Sequence, residues 1–190
     1  MRALVLNGSE AEGSVVDGIS DYLVDFLRIK GHDADVMALR DERIAPCLGC
    51  FSCWTRTPGR CIIEDEGATL PRRVMGSEIL FLLTPVTFGT FSYQLKKAVD
   101  RYACPLLLPF FAKVDGETHH AARYARYPKM VAIGVLPSKD EEGVGLFSAL
   151  VDRNAINMHT EAISVIVYSD ETSDSIKEKL RSALTRVGAW

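Results

Sequence analysis

Ile79-Leu80-Phe81-Leu82-Leu83-Thr84-Pro85 is an almost wholly apolar run that stops at a proline. A strand with one wet face would alternate. This one reads as a central parallel strand buried on both faces. The next residues, Val86-Thr87-Phe88-Gly89-Thr90-Phe91-Ser92, make a loop that leads into a predicted helix from Phe91 to Tyr102, with Leu95, Ala98 and Val99 turned inward. One buried strand followed by one amphipathic helix is the unit of a layered α/β domain.

The same unit recurs on either side. Upstream, Ala3 to Leu6 is a short apolar strand, and from Ser14 the residues Val15, Ile19, Tyr22, Leu23, Phe26 and Leu27 recur at helical spacing up to Gly31. Ala34 to Leu39 alternates like a half-exposed strand, and Ala68 to Gly76 reads as a helix. Downstream, Met130 to Leu136 and Ala162 to Tyr168 are strands, and Gly145 to Asn154 and Ser173 to Val187 are helices. Five apolar strands separated by helices predict a doubly wound five-stranded parallel sheet with helices on both faces. For five strands the expected order is the flavodoxin-like 2-1-3-4-5, with the ligand beyond the carboxyl ends of strands one and three. The 190 residues are read as one domain, 1–190, with an inserted cysteine loop at 46–62 and a long irregular segment at 103–129.

Composition narrows the function classes. A net charge of −3 favours neither nucleic acid nor an acidic membrane surface. No stretch approaches the roughly 20 apolar residues of a membrane span. The apolar run at the N-terminus is too short for a signal peptide, so a cytoplasmic setting with reduced thiols is expected.

Four of the five cysteines, Cys47, Cys50, Cys53 and Cys61, fall in one C-x2-C-x2-C-x7-C stretch. Soft thiolates that converge on one point suit an iron–sulfur cluster or a zinc ion. The tight triple followed by a fourth cysteine has the look of a [4Fe–4S] loop, since structural zinc more often uses two separated knuckles. Small buried residues closing a compact loop, as reduced or disulfide-paired cysteines, are the plain alternative. The Pro58-Gly59 turn can bring Cys61 back to the triple. Cys104 lies outside the spacing and reads as a buried thiol.

Two further loops sit where the strand order reverses. Asn7 to Ser14 joins the first strand to the first helix. Gly8, Gly13, Ser9 and Ser14 suit a phosphate at a helix N-terminus, while Glu10 and Glu12 repel one. Taken alone, the loop is better read as a helix start with Ser14 as its cap. In the loop after Pro85, free backbone N–H groups beside Phe88 suit the polar edge of a flat heteroaromatic ring. Packing of Phe88 and Phe91 is the plain alternative. Glu117-Thr118-His119-His120 reads as solvated loop residues, because adjacent side chains in an extended segment point apart and one metal cannot easily use both histidines; a place at a flavin edge or a dimer contact is the alternative. Arg123, Tyr124, Arg126 and Tyr127 mix charge and aromatics as interfaces do.

Taken in order, these loops and the helix segment Leu95-Lys96-Lys97-Ala98-Val99-Asp100-Arg101 resemble the flavodoxin-like NAD(P)H-dependent FMN reductases, and among them the iron–sulfur flavoproteins. The resemblance covers about the first 105 residues. It implies FMN, with Ser9, Gly13 and Ser14 at the phosphate and Pro85, Val86, Thr87, Phe88 and Gly89 along the ribityl chain and ring. It implies a [4Fe–4S] cluster on Cys47, Cys50, Cys53 and Cys61, NAD(P)H as electron donor, and a small-molecule or protein acceptor. Three positions depart from the family pattern: the acidic pair Glu10 and Glu12, Thr87 where an aromatic is usual, and Leu136-Pro137-Ser138-Lys139 where a Gly-Gly is usual. The expected protein is an FMN-dependent oxidoreductase, homo-oligomeric through the long segment, with no named catalytic side chain. The alternatives are a non-enzymatic flavin or thiol redox-sensing module, and a family member that has lost FMN.

Overall fold

The computed structural model describes residues 1–188. Five parallel strands form the central sheet: β1 (Arg2–Asn7), β2 (Asp33–Ala38), β3 (Ile79–Pro85), β6 (Lys129–Leu136) and β7 (Ala162–Tyr168). Their order is β2-β1-β3-β6-β7. Without the antiparallel hairpin β4 (Leu107–Val114) and β5 (Glu117–Ala122), this is the 2-1-3-4-5 order expected from the sequence. The sheet reverses between β1 and β3, which pair in register from Ala3↔Ile79 to Asn7↔Leu83.

Each face carries its own core, and β3 feeds both. Ile79, Phe81 and Leu83 point to the side of α1 (Val15–Ile29) and α6 (Ser173–Val187). Leu80 and Leu82 point to the side of α3 (Leu70–Met75), α4 (Tyr93–Leu106) and α5 (Glu141–Asn157). The two-residue side-chain period therefore divides one apolar run between two cores.

The segment 103–129 is regular as far as Ala122, and only 123–128 run irregularly into β6. Helix α4 continues to Leu106, and the chain then folds back as the β4–β5 hairpin. Asp115 and Gly116 form its two-residue turn, both with positive φ (49° and 80°), between the paired Val114 and Glu117. Asp-Gly suits that turn because the backbone twist needs φ > 0 at both positions. Pro109 cannot donate to the ladder, and the register shifts between Leu107 and Phe111 around it. The histidine reading also changes. His119 bonds Glu117 at 3.0 Å, and the His120 ring lies against both Trp54 and Phe111. They are strand residues with partners, on opposite faces as extended backbone requires.

Candidate functional site

The strand ends at the reversal are tied together. The N–H of Gly8 donates to Leu83 O at 2.8 Å, and Ser92 Oγ donates to Gly8 O at 2.6 Å. Ser92 also caps α4 through the Leu95 N–H, and its own N–H donates to Thr84 Oγ1. A Cβ at Gly8 would lie 2.7 Å from Leu95 Cβ and 2.9 Å from Ser92 Oγ, so only glycine allows this approach. The loops after β1 and β3 thus form one rigid rim.

In the first loop Ser9 Oγ and Ser14 Oγ stand 2.7 Å apart at the start of α1. Ser14 caps the helix in a capping box with Asp17. Asp17 accepts from Ser14 N (3.1 Å), Ser14 Oγ (3.1 Å), Asn7 Nδ2 (2.7 Å) and Arg40 Nη1 (2.8 Å). Burial alone would raise the Asp17 pKa, but the Arg40 guanidinium and the other donors outweigh it and hold the carboxyl below its ordinary value. Glu10, Glu12 and Gly13 are exposed at the rim. Two converging hydroxyls at the N-terminus of a long helix, with Arg40 in the same network, fit a phosphate. Of the acidic pair, Glu12 lies close enough to act on the Arg40 charge. Arg40 follows β2, which lies beside β1 in the sheet. That adjacency was the signal by which the sequence could have brought it to this loop.

In the third loop Thr87 and Thr90 exchange backbone hydrogen bonds at 3.0 Å, with Phe88 and Gly89 at the tip. Phe88 has φ of 50° and is 97% exposed. It does not pack the connection. Phe91 does, edge-on against Phe147. An aromatic in the left-handed region with no packing partner is held there by the turn. It is free to meet a planar ligand at the strand ends. Pro85 and Val86 are half-buried beneath it, and Thr87 is exposed.

Cys47, Cys50, Cys53 and Cys61 all line one small cavity, walled on its other side by Asp100, Arg101, Cys104 and Pro105 of α4. All five thiols are free. Cys104, set apart by the spacing, is in the wall of the same cavity. Three devices build this arrangement. Cys53 lies in the short helix α2 (Ser52–Thr55), and Trp54 Nε1 anchors that helix by donating to Cys104 O at 2.7 Å and Leu107 O at 3.1 Å. The Thr57-Pro58-Gly59-Arg60 turn, closed by Arg60 N to Thr57 O at 2.8 Å, returns Cys61 to the cavity. Arg101 clamps both stems of the loop. It donates to Ala45 O before the cysteines, and to Ile63 O and both Asp65 oxygens after them. Burial, with the neighbouring Cys104, Cys61 and Cys47 thiols, pushes Cys53 up to about 11. Hydrogen bonds to Ser52 lower Cys50.

The donor chemistry fits a thiolate-bound cluster. Among the described residues, however, no three His, Cys, Asp or Glu side chains already stand in position to hold an ion. The thiols would have to draw together to ligate one. None of the described helices is long and apolar enough to cross a membrane.

A parallel sheet of this order, with its loop pair at the reversal, defines a flavodoxin-like α/β protein. The NAD(P)H:quinone oxidoreductase from Methanothermobacter marburgensis has this fold, with a TM-score of 0.70 over 98% of this chain and 95% of that one at 15% identity. The chain belongs to the NADPH-dependent FMN reductase family, whose model matches residues 1–136. Iron-sulfur flavoproteins are among its relatives. That of Methanosarcina thermophila is 25% identical over 101 residues, 53% of this chain and 52% of that one. That of Methanocaldococcus jannaschii is 29% identical over 111 residues, 58% of this chain and 55% of that one. The chain thus spans about half the length of these two relatives.

Proposed function

We propose that the chain is an FMN-dependent oxidoreductase that takes electrons from a reduced nicotinamide and holds a [4Fe–4S] cluster on Cys47, Cys50, Cys53 and Cys61. The observation that carries the flavin reading is the rim at the sheet reversal, where Ser9 and Ser14 converge at the start of α1 beside the Phe88 turn. Membership of the FMN reductase family supports it. In this reading Ser9, Gly13 and Ser14 hold the phosphate, and Arg40 neutralises the Asp17 carboxylate beside them. Pro85, Val86, Thr87, Phe88 and Gly89 line the ribityl chain and ring. FMN, when bound, supplies hydride acceptance and electron transfer. The chain's part is to orient the ring and set its surroundings, which asks for no acid or base among its side chains.

The cluster reading is supported by the shared cavity of the four cysteines and by the relatives named as iron-sulfur flavoproteins. Self-association is supported by the aromatic ladder Phe51–Trp54–His120–Phe111, with centroids 5.2, 4.7 and 5.1 Å apart. Its end rings Phe51 and Phe111 are exposed, as is Phe110 next to Phe111 in the hairpin, which suits a second copy of the chain. A second reading, thiol redox sensing, is favoured by the fifth thiol, Cys104, in the same cavity.

The test is stopped-flow mixing of FMN-loaded protein with NADPH or NADH under argon. Bleaching of the flavin band by either is expected. Bleaching by dithionite alone would overturn the reductase reading and favour the sensing one.

A further inference from the structure

Arg101 does more than clamp the loop. Its side chain is fully buried, paired with Asp65 at 2.6 Å, and lines the cavity with the five cysteines. Four hydrogen bonds occupy Nη1 and Nη2. The remaining donor, Nε, is buried with no partner among the described residues. A buried guanidinium N–H without an acceptor is costly, and native structures rarely leave one so. Cys61 and Cys104 line the same cavity as the guanidinium, so sulfur is the acceptor its surroundings offer. Gly67 makes the room the guanidinium fills, since a Cβ there would lie 3.0 Å from Arg101 Cζ.

We propose that Arg101 Nε donates to a sulfur of the thiolate-bound cluster, and that the Arg101–Asp65 pair sets the cluster's reduction potential. The proposal rests on the cluster reading above. Reduction adds one negative charge to the cluster. A hydrogen bond to sulfur and a buried cation both stabilise the more negative form and raise the potential. Asp65, on the far side of the guanidinium, offsets part of that effect. The two members of one ion pair therefore act with opposite signs.

The experiment reconstitutes wild type, Arg101→Gln, Arg101→Lys and Asp65→Asn anaerobically, assays iron and sulfide, and follows the EPR signal of the reduced cluster in a redox titration. The midpoint does not depend on how much of each sample is loaded. Arg101→Gln should favour the oxidised cluster at least tenfold, about 59 mV lower for a one-electron couple. Asp65→Asn should shift the midpoint upward. Arg101→Lys, which keeps the charge and loses Nε, should fall between wild type and Arg101→Gln. A purely structural clamp predicts something else. Both residues hold the same loop stems, so both variants would lose cluster and leave the midpoint of the remainder in place. Should Arg101→Gln fail to load, a midpoint above wild type for Asp65→Asn and below it for Arg101→Lys decides. Unmoved midpoints, or shifts in one direction, overturn this inference alone. A wild type that takes up no iron overturns the cluster reading and this inference with it.

Discussion

At the scale of single residues, the first loop turns on Asp17. Its carboxylate caps α1 with Ser14 and is held by Asn7 and Arg40. Asp17→Asn should cost about 1–2 kcal/mol at neutral pH, the range for a lost cap and charged hydrogen bond. The folded-state pKa lies below the ordinary value of 3.8. The carboxylate's contribution is therefore complete above the unfolded value and is lost as pH falls through the lower folded value. Urea unfolding of wild type and variant should differ at pH 7, begin to converge as pH falls below 3.8, and meet once it has passed the lower folded value. A gap that persists in acid would contradict this. Glu10 and Glu12 act in the opposite sense. Replacing both with Gln should tighten FMN binding severalfold, at about 0.2–1 kcal/mol for each exposed charge removed. Unchanged affinity would mean that the phosphate lies elsewhere. Gly8→Ala pushes α4 away from the rim and should cost about 1–3 kcal/mol, as overpacking does, which thermal unfolding would measure.

At the scale of elements, the cysteine loop and the hairpin depend on each other. Trp54 joins them, its indole N–H on the last turn of α4 and its ring against His120 of β5. Trp54→Phe keeps an aromatic ring and removes the donor, leaving Cys104 O with the Leu107 N–H alone and Leu107 O with Arg123 alone. It should cost about 1–2 kcal/mol and lower iron content after reconstitution. Full iron content would show that α2 does not depend on this anchor. The hairpin also carries the proposed contact between copies. Phe110→Ser with Phe111→Ser should shift the mass from light scattering toward the monomer, with the fold intact by circular dichroism. An unchanged mass would place the interface elsewhere or nowhere. The hairpin was legible, since Asp115-Gly116 flanked by extended residues is a strong short-range turn signal. Pro105, Pro109 and Pro128 obscured it. They suggest irregular chain, whereas the structure places Pro105 in the last turn of α4 and Pro109 at a bulge.

At the scale of the whole molecule, the parallel sheet was legible because its signal is local. Each strand's burial is written in its own apolar run, and the order then follows from the few arrangements that five strands permit. The site was legible only in part. Its loops announce themselves through Gly, Ser, Pro and Cys at strand ends. The groups that tie those loops together lie far off in sequence: Arg40 on Asp17, Trp54 and Cys104 at the end of α4, and Arg101 on both stems of the cysteine loop. Nothing in local spacing marks an arginine as a clamp; only the packed helix shows what it reaches. The central claim is that the rim at the sheet reversal holds FMN, and titration of FMN into the full chain, read by quenching of flavin fluorescence, tests it most directly. The expected result is saturable one-to-one quenching with a micromolar or tighter constant, about −8 kcal/mol or better. Absence of quenching at roughly 1 mM FMN, where even about −4 kcal/mol would register, would contradict it.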